Sequence, residues 1–246
     1  GLPGCARSPK RNGFDLVLER LAAGVAIDSA AIAAMGEGGL LPEAERPQPR
    51  TSKPASPRHV GAVVLAAGRS RRMGHAHKLL IPWRERPIIA HLIEALAAAG
   101  LPPPVVVLGH DAAAVRAAIG DRPAHYVTPP DWADGMGRSL AAGIAAAPAD
   151  WDAALVCLAD MPRIEPALIS ALAAAPGDVV VPVWQGRRGH PVRWPRRSFA
   201  DLMALTGDTG GRAVLANWAV TEVAAPSDAV VDDIDTPAAL AVLLTR

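Results

Sequence analysis

The densest chemistry in the sequence lies between Ala66 and Lys78, which read Ala-Ala-Gly-Arg-Ser-Arg-Arg-Met-Gly-His-Ala-His-Lys. This stretch joins two glycines, Gly68 and Gly74, to four cations, Arg69, Arg71, Arg72 and Lys78. Glycine lets backbone N–H groups approach an anion closely, and Arg and Lys neutralise phosphate charge, so the segment reads as a phosphate-handling loop. A solvated basic loop is the alternative. Two common nucleotide motifs are absent: a Walker A loop needs Gly-Lys followed by Ser or Thr, whereas Lys78 sits between His77 and Leu79. The dinucleotide fingerprint needs closely spaced glycines, and Gly68 and Gly74 are six residues apart.

Acidic residues form the complementary set. Asp160 follows an apolar run and precedes Pro162, where its carboxylate would point out of the end of a strand; Asp233 and Asp235 form a second acidic exit. Hard oxygen ligands of this kind suit Mg²⁺, which binds through one or two carboxylates plus substrate phosphate. Helix capping competes as an explanation, with Asp160 before Glu165 and Asp235 before Pro237. Other constellations are weaker. Ser70 and Ser139 follow Gly-Arg without the second glycine of a nucleophile elbow, His75 and His77 have no third zinc ligand near them, and Cys157 reads as a small buried hydrophobe.

The elements that must carry these residues follow from periodicity. Short β-branched runs, Val60 to Leu65, Val105 to Leu108, His125 to Thr128, Ala154 to Leu158 and Val179 to Val183, alternate with helical stretches at Ile88 to Ala99, Ala112 to Ile119, Ser139 to Ala146 and Ala167 to Ala174. Continuous apolar strands separated by helices predict a doubly wound α/β domain with a mostly parallel sheet covered on both faces. Ligands of such sheets bind outside the carboxyl ends of the strands, where the loop and Asp160 fall. Val179 to Val183 and Val192 to Trp194 read as a hairpin with Gly-His-Pro between them.

Residues 42–58, with five prolines and almost no large apolar side chain, read as a linker between an N-terminal helical segment, 1–41, and a domain over 59–246. The N-terminal helices, Phe14 to Leu21 and Ile27 to Met35, are too little to fold alone. The 246 residues are half hydrophobic, and 25 Lys and Arg against 24 Asp and Glu leave a formal charge of +1. That balance gives no basic field for nucleic acid. No apolar run reaches the roughly 18 residues of a transmembrane helix, no charged-then-apolar leader is visible at Gly1, and two cysteines cannot make a disulfide framework, so a cytoplasmic setting without membrane partners is expected.

Leu65 to Lys78 resembles the L-x-A-G-x-S-x-R-M-G-x-x-x-K loop of the MobA-like nucleotidyltransferases, the family of the molybdenum cofactor guanylyl- and cytidylyltransferases. Four further segments agree in order and spacing: Gly137 to Leu140, Cys157 to Pro162, Gly189 to Val192 and Asp233 to Pro237. The resemblance covers about residues 59 to 246 and implies a Rossmann-like fold of the glycosyltransferase-A type. Leu65-Ala66-Ala67-Gly68 is similar to the CTP users of that family, whereas GTP users carry a glycine where Ala67 stands.

The resemblance implies transfer of CMP from CTP to molybdenum cofactor (molybdopterin), with release of pyrophosphate and handover of the product to a molybdoenzyme. It makes Asp160 and Asp235 the Mg²⁺ pair, with Asp233 as the alternative, and Lys78 and Arg72 the phosphate cations, with Arg69 in addition. Leu65, Ala66, Ala67, Gly68, Gly137 and Ser139 would receive the nucleotide. His190 and Arg212 would face the acceptor, although His190 reads equally as a structural histidine and Gly207 to Arg212 as a helix-linking turn. The first residues, Gly1 to Pro9, resemble the tail of a molybdopterin-binding domain, which would make 1–41 a remnant. Guanylyl or sugar-phosphate transfer, and a noncatalytic cofactor carrier, are the other readings.

Overall fold

Apolar runs too continuous for a sheet with one wet face must be buried on both sides, and alternate residues of one strand do enter two different cores. Ala62, Val64 and Ala66 pack into one hydrophobic cluster and Val63 into the other; Val106 and Leu108 part in the same way from Val105 and Val107. The computed structural model describes residues 22–24, 59–70 and 77–245. The chain divides into two compact units, 1–48 and 49–246, and the second of them contains the sheet and its helices. The expected N-terminal helices and linker, together with Arg72, lie outside the described residues.

Ten strands and seven α-helices follow in chain order among the described residues of this unit. They are β1 (Val60–Ala66), the short pair β2 (Pro82–Trp83) and β3 (Arg86–Pro87), α1 (Ile88–Ala98), β4 (Val105–Leu108), α2 (Ala112–Ile119), β5 (His125–Val127), α3 (Met136–Ala145), β6 (Ala153–Leu158), α4 (Pro166–Ala174), β7 (Val179–Trp184), β8 (Arg187–Arg188), β9 (Val192–Pro195), α5 (Phe199–Met203), α6 (Arg212–Leu215), β10 (Val220–Ala224) and α7 (Pro237–Leu244). The main sheet runs β10-β7-β9-β6-β1-β4-β5, with β8 paired to β7. β1, β4, β5 and β6 are parallel, as expected of a doubly wound sheet. Residues of α1, α2 and α4 share one core, and residues of α3 and α5 share the other. No described helix is long and apolar enough to cross a membrane.

The expected pairing of Val179–Val183 with Val192–Trp194 takes a longer route. The tight turn joins β7 to β8, with Trp184 opposite Arg187 and both Gln185 and Gly186 at positive φ, 48° and 77°. Two central residues at positive φ give the turn the twist that a two-residue hairpin requires. The chain then returns as β9, antiparallel to both β6 and β7 and lying between them.

That insertion carries Arg193 into the core, where it is 1% exposed. Its guanidinium donates to the carbonyls of Leu172, Ala173, Ala175 and Gly177 at 3.3, 3.0, 2.5 and 2.8 Å. Leu172 and Ala173 belong to the last turn of α4, whose carbonyls have no partner within the helix, and Ala175 and Gly177 follow it, so a side chain from a neighbouring strand closes the helix and the segment after it. Burial pulls the Arg193 pKa down to about 10 against the partial support of Asp178.

Candidate active site

The strand order reverses beside β1: the chain passes outward through β4 and β5, then returns to β6 on the other side of β1. Segments leaving two such neighbouring strands diverge and open a crevice. Here the crevice is a cleft of about 560 Å³. Leu65, Ala66, Ala67, Gly68, Arg69, Lys78 and Ser139, all expected around the nucleotide, line it, and so do Asp160, Asp233 and Asp235.

Three carboxylates meet at this cleft. One oxygen from each of Asp160, Asp233 and Asp235 lies within 4.8 Å of the others. Asp160 sits two residues beyond the end of β6. Asp233 and Asp235 arrive on a returning segment whose Ile234 N–H donates to the Asp160 carbonyl at 3.3 Å. The Ile234 side chain is buried in the core, and Asp233 and Asp235 flank it. Arg163 ties the two segments together from outside, its guanidinium 2.9 Å from Asp228 and 2.5 Å from Asp232.

Lys78 occupies the centre. Its Nζ donates to Asp160 Oδ2 at 2.5 Å and to Asp235 Oδ1 at 2.6 Å. Burial works against this ammonium, yet Asp160 and Asp235 outweigh it and hold the Lys78 pKa above its ordinary value. Asp233 is shifted upward as well, first by burial and then by the negative charges of Asp235 and Asp160. Charge of one sign is thus concentrated where a cation would relieve it. Carboxylate oxygens in this number and spacing fit a hard divalent metal such as Mg²⁺ or Mn²⁺.

The capping alternatives do not hold. α4 has Glu165 at its N-cap, and α7 has Thr236, whose hydroxyl accepts from the Ala239 N–H at 3.2 Å. Neither Asp160 nor Asp235 is the cap residue.

The remaining expected residues fall into two groups. His190 and Arg212 are not among the residues that line the cleft, but His190 feels its charges: burial lowers the His190 pKa, the Asp160 charge raises it, and Arg212 lowers it again. The His190 N–H donates to the Val230 carbonyl at 2.8 Å, and a side chain on Gly189 would stand 1.9 Å from that same oxygen, so only glycine lets the strand pass there. Gly137 faces elsewhere. Its N–H donates to the Gly207 carbonyl at 2.8 Å, which commits it to the 206–209 loop, while Met136 and the buried Ser139 are the α3 residues on the cleft.

Reading by charge missed Trp132, which forms part of the cleft wall. Its signal was a large aromatic inside the polar stretch Pro129 to Gly135.

A cleft at the strand-order reversal, with an ammonium held among carboxylates and Gly68 and Arg69 in its wall, is the ligand-site arrangement of a doubly wound α/β protein. The chain belongs to the MobA-like NTP transferase domain family, which matches residues 62–223. It is 32% identical over 191 residues to the nicotine blue oxidoreductase of Paenarthrobacter nicotinovorans, covering 72% of this chain and 92% of that protein. The crystal structure of Rv0371c from Mycobacterium tuberculosis superposes with a TM-score of 0.69 at 28% identity, over 76% of this chain and 98% of that one. Rv0371c has also been solved in complex with manganese, with a TM-score of 0.64 to this chain at 27% identity, over 76% of this chain and 98% of that one. Molybdopterin-guanine dinucleotide biosynthesis protein A from Archaeoglobus fulgidus shares the fold, with a TM-score of 0.58 at 16% identity, over 75% of this chain and 97% of that one.

Proposed function

We propose that this chain transfers CMP from CTP to the terminal phosphate of molybdenum cofactor (molybdopterin), giving the cytosine dinucleotide form and pyrophosphate. The observation that carries the reading is Lys78 held between Asp160 and Asp235 at the mouth of the cleft. In the reaction an acceptor phosphate oxygen forms a bond to the α-phosphorus of CTP, and the bond from that phosphorus to the bridging oxygen breaks, so that pyrophosphate leaves with the electron pair. The acceptor is already an anion at neutral pH and needs no dedicated general base. What the site must supply is orientation and charge neutralisation.

Asp160 and Asp235, with Asp233 beside them, would hold Mg²⁺, which when bound supplies positive charge to the phosphates. That Rv0371c was solved in complex with manganese supports a divalent ion for this chain, and Asp160, Asp233 and Asp235 are the acidic group that could hold it. Lys78 stays protonated and neutralises charge as it moves from the α-phosphate to the leaving pyrophosphate. Arg69 at the cleft wall, and Arg72 by family resemblance, hold the phosphates. His190 and Arg212 lie on the acceptor side. The choice of CTP rests on Ala67, which stands where the GTP users of the family carry glycine. The resemblance of the first residues to a molybdopterin-binding domain, with 42–58 as a linker, accords with molybdenum cofactor as the acceptor.

A second reading is favoured by one observation, the 32% identity with an oxidoreductase over most of that protein's length. Both are tested together by measuring pyrophosphate release with each of the four NTPs, with and without molybdenum cofactor. Release with CTP only when cofactor is present is the expected result. A preference for GTP overturns the cytidylyl assignment. If no NTP turns over and nicotine blue is reduced by a nicotinamide or flavin donor, the oxidoreductase reading replaces the transferase one.

A further inference from the structure

We propose that Trp132 is the ring on which the nucleobase stacks, a role that rests on the nucleotidyltransferase reading and extends it to the base. Trp132 begins a 3₁₀ turn, Trp132–Asp134, between β5 and α3. It is half-buried and shares the cleft wall with Ala66, Ala67 and Ser139, carried on three different elements.

The ring is fixed by its neighbours. A side chain on Gly109 would lie 2.8 Å from Cδ2 of Trp132 and 2.7 Å from the Ala67 carbonyl oxygen. Glycine at 109 therefore lets the indole settle against the loop that follows β1. The His110 ring tilts against Trp132 at 6.1 Å and stacks on His77 at 5.8 Å, while the His110 N–H donates to the Ala67 carbonyl at 3.3 Å. A ring held this firmly beside the glycine-containing loop is pre-organised, so stacking on it costs little conformational freedom.

Arg69 shows that the ring also offers a face to planar groups. Its guanidinium carbon lies over the Trp132 ring, 4.9 Å from the centroid. A pyrimidine is planar in the same way and stacks on indole whatever its edge carries, leaving backbone groups of Ala66 and Ala67 to read that edge. A base that stacks there takes the guanidinium's position and leaves Arg69, which belongs to the phosphate-handling loop, to turn toward the triphosphate.

The test compares Trp132→Leu with Trp132→Phe, since leucine keeps apolar bulk without a stacking face and phenylalanine keeps both. Affinities for CTP and for inorganic tripolyphosphate are measured by calorimetry in the presence of Mg²⁺, after thermal melts show that each variant is folded. Stacking predicts that Trp132→Leu weakens CTP about tenfold or more while tripolyphosphate binding is unchanged, and that Trp132→Phe restores most of the CTP affinity. Parental CTP affinity in Trp132→Leu overturns the proposal, and so does an equal loss for both ligands, which would mark Trp132 as a structural support. Unchanged CTP affinity with a raised KM for molybdenum cofactor would assign the ring to the acceptor and overturn it likewise. If the parent protein itself binds no CTP, the transferase reading has failed first, and that result is separate from any effect of the substitution.

Discussion

Replacing Lys78 with methionine removes the cation between Asp160 and Asp235 while keeping most of the side-chain volume. At 2.5 and 2.6 Å, each contact is worth about 6–7 kcal/mol of gross Coulomb attraction at an effective dielectric near 20. Desolvation offsets most of that, because Lys78 and Asp160 are only 12% and 14% exposed. Breaking a fully buried pair costs about 3–5 kcal/mol. Asp235 is 38% exposed, and solvent screening of its half of the arrangement brings the expected cost to about 2–3 kcal/mol. For a unit of this size that is a fall in Tm of about 4–12 °C. The native Lys78 pKa is raised, so its contribution is complete below the ordinary lysine value of 10.5 and disappears only as pH rises through the raised native value. The difference between parent and Lys78→Met should therefore be flat from neutral pH up to about that value and shrink above it.

The same variant probes the carboxylates. With the ammonium gone, Mg²⁺ should raise the Tm of Lys78→Met more than that of the parent, because the ion then meets Asp160, Asp233 and Asp235 without a competing cation. Turnover should still fall, since a bound metal does not replace the charge that follows the leaving pyrophosphate. Circular dichroism melts with and without millimolar MgCl₂ read both effects. A parental Tm in Lys78→Met would refute the energetic argument. A lowered Tm that Mg²⁺ does not raise would refute the carboxylate group as a cation site.

Asp160→Asn should lower kcat about 10²–10³-fold with an unchanged far-UV spectrum, measured as pyrophosphate release, because it removes an anionic ligand and leaves core packing alone. Asp233→Asn should raise Tm at neutral pH, since burial and its two carboxylate neighbours raise its native pKa and make the ionised form a cost to the fold. Melts as a function of pH should show that gain vanishing as pH falls below the ordinary aspartate value of 3.8. Arg193→Met should destabilise by about 3 kcal/mol or more in urea titrations, because it strands the carbonyls of Leu172, Ala173, Ala175 and Gly177, while the kcat of the folded fraction stays at the parental level.

The strands were legible because parallel strands buried on both faces leave unbroken apolar runs, and those runs end where the cleft begins. Asp160 was legible for a related reason, since a charge just outside such a run has to be at a strand exit; Lys78, farther along the loop after β1, was legible from the density of cations there and from the family resemblance. The antiparallel relation of β9 to β7 was legible as a hairpin, but its insertion between β7 and β6 was not, since the local sequence Val192-Arg193-Trp194 is equally consistent with a strand whose arginine faces water. Only the carbonyls at the end of α4, a tertiary feature, explain why Arg193 is buried. Trp132 escaped for the opposite reason, because its stretch looked like ordinary loop and its value comes from Gly109 and Arg69, each more than twenty residues away in sequence.

The acidic group shows how alternation can produce chemistry from a structural constraint. Ile234 is drawn into the core, and its backbone N–H is tied to the Asp160 carbonyl. With residue 234 fixed at both points, the residues on either side of it are carried to Asp160, and both are aspartates. Three carboxylates within 4.8 Å repel one another, and that repulsion adds to burial in raising the Asp233 pKa. Folding alone gains nothing from such a cluster, so compensation must come from cations. Lys78 supplies one from inside, and Arg163 braces the returning segment through Asp228 and Asp232 from outside. A single ammonium offsets only part of the charge of three carboxylates, and the remainder makes this end of the cleft attractive to a divalent ion and, once that ion is bound, to the phosphates of a nucleotide.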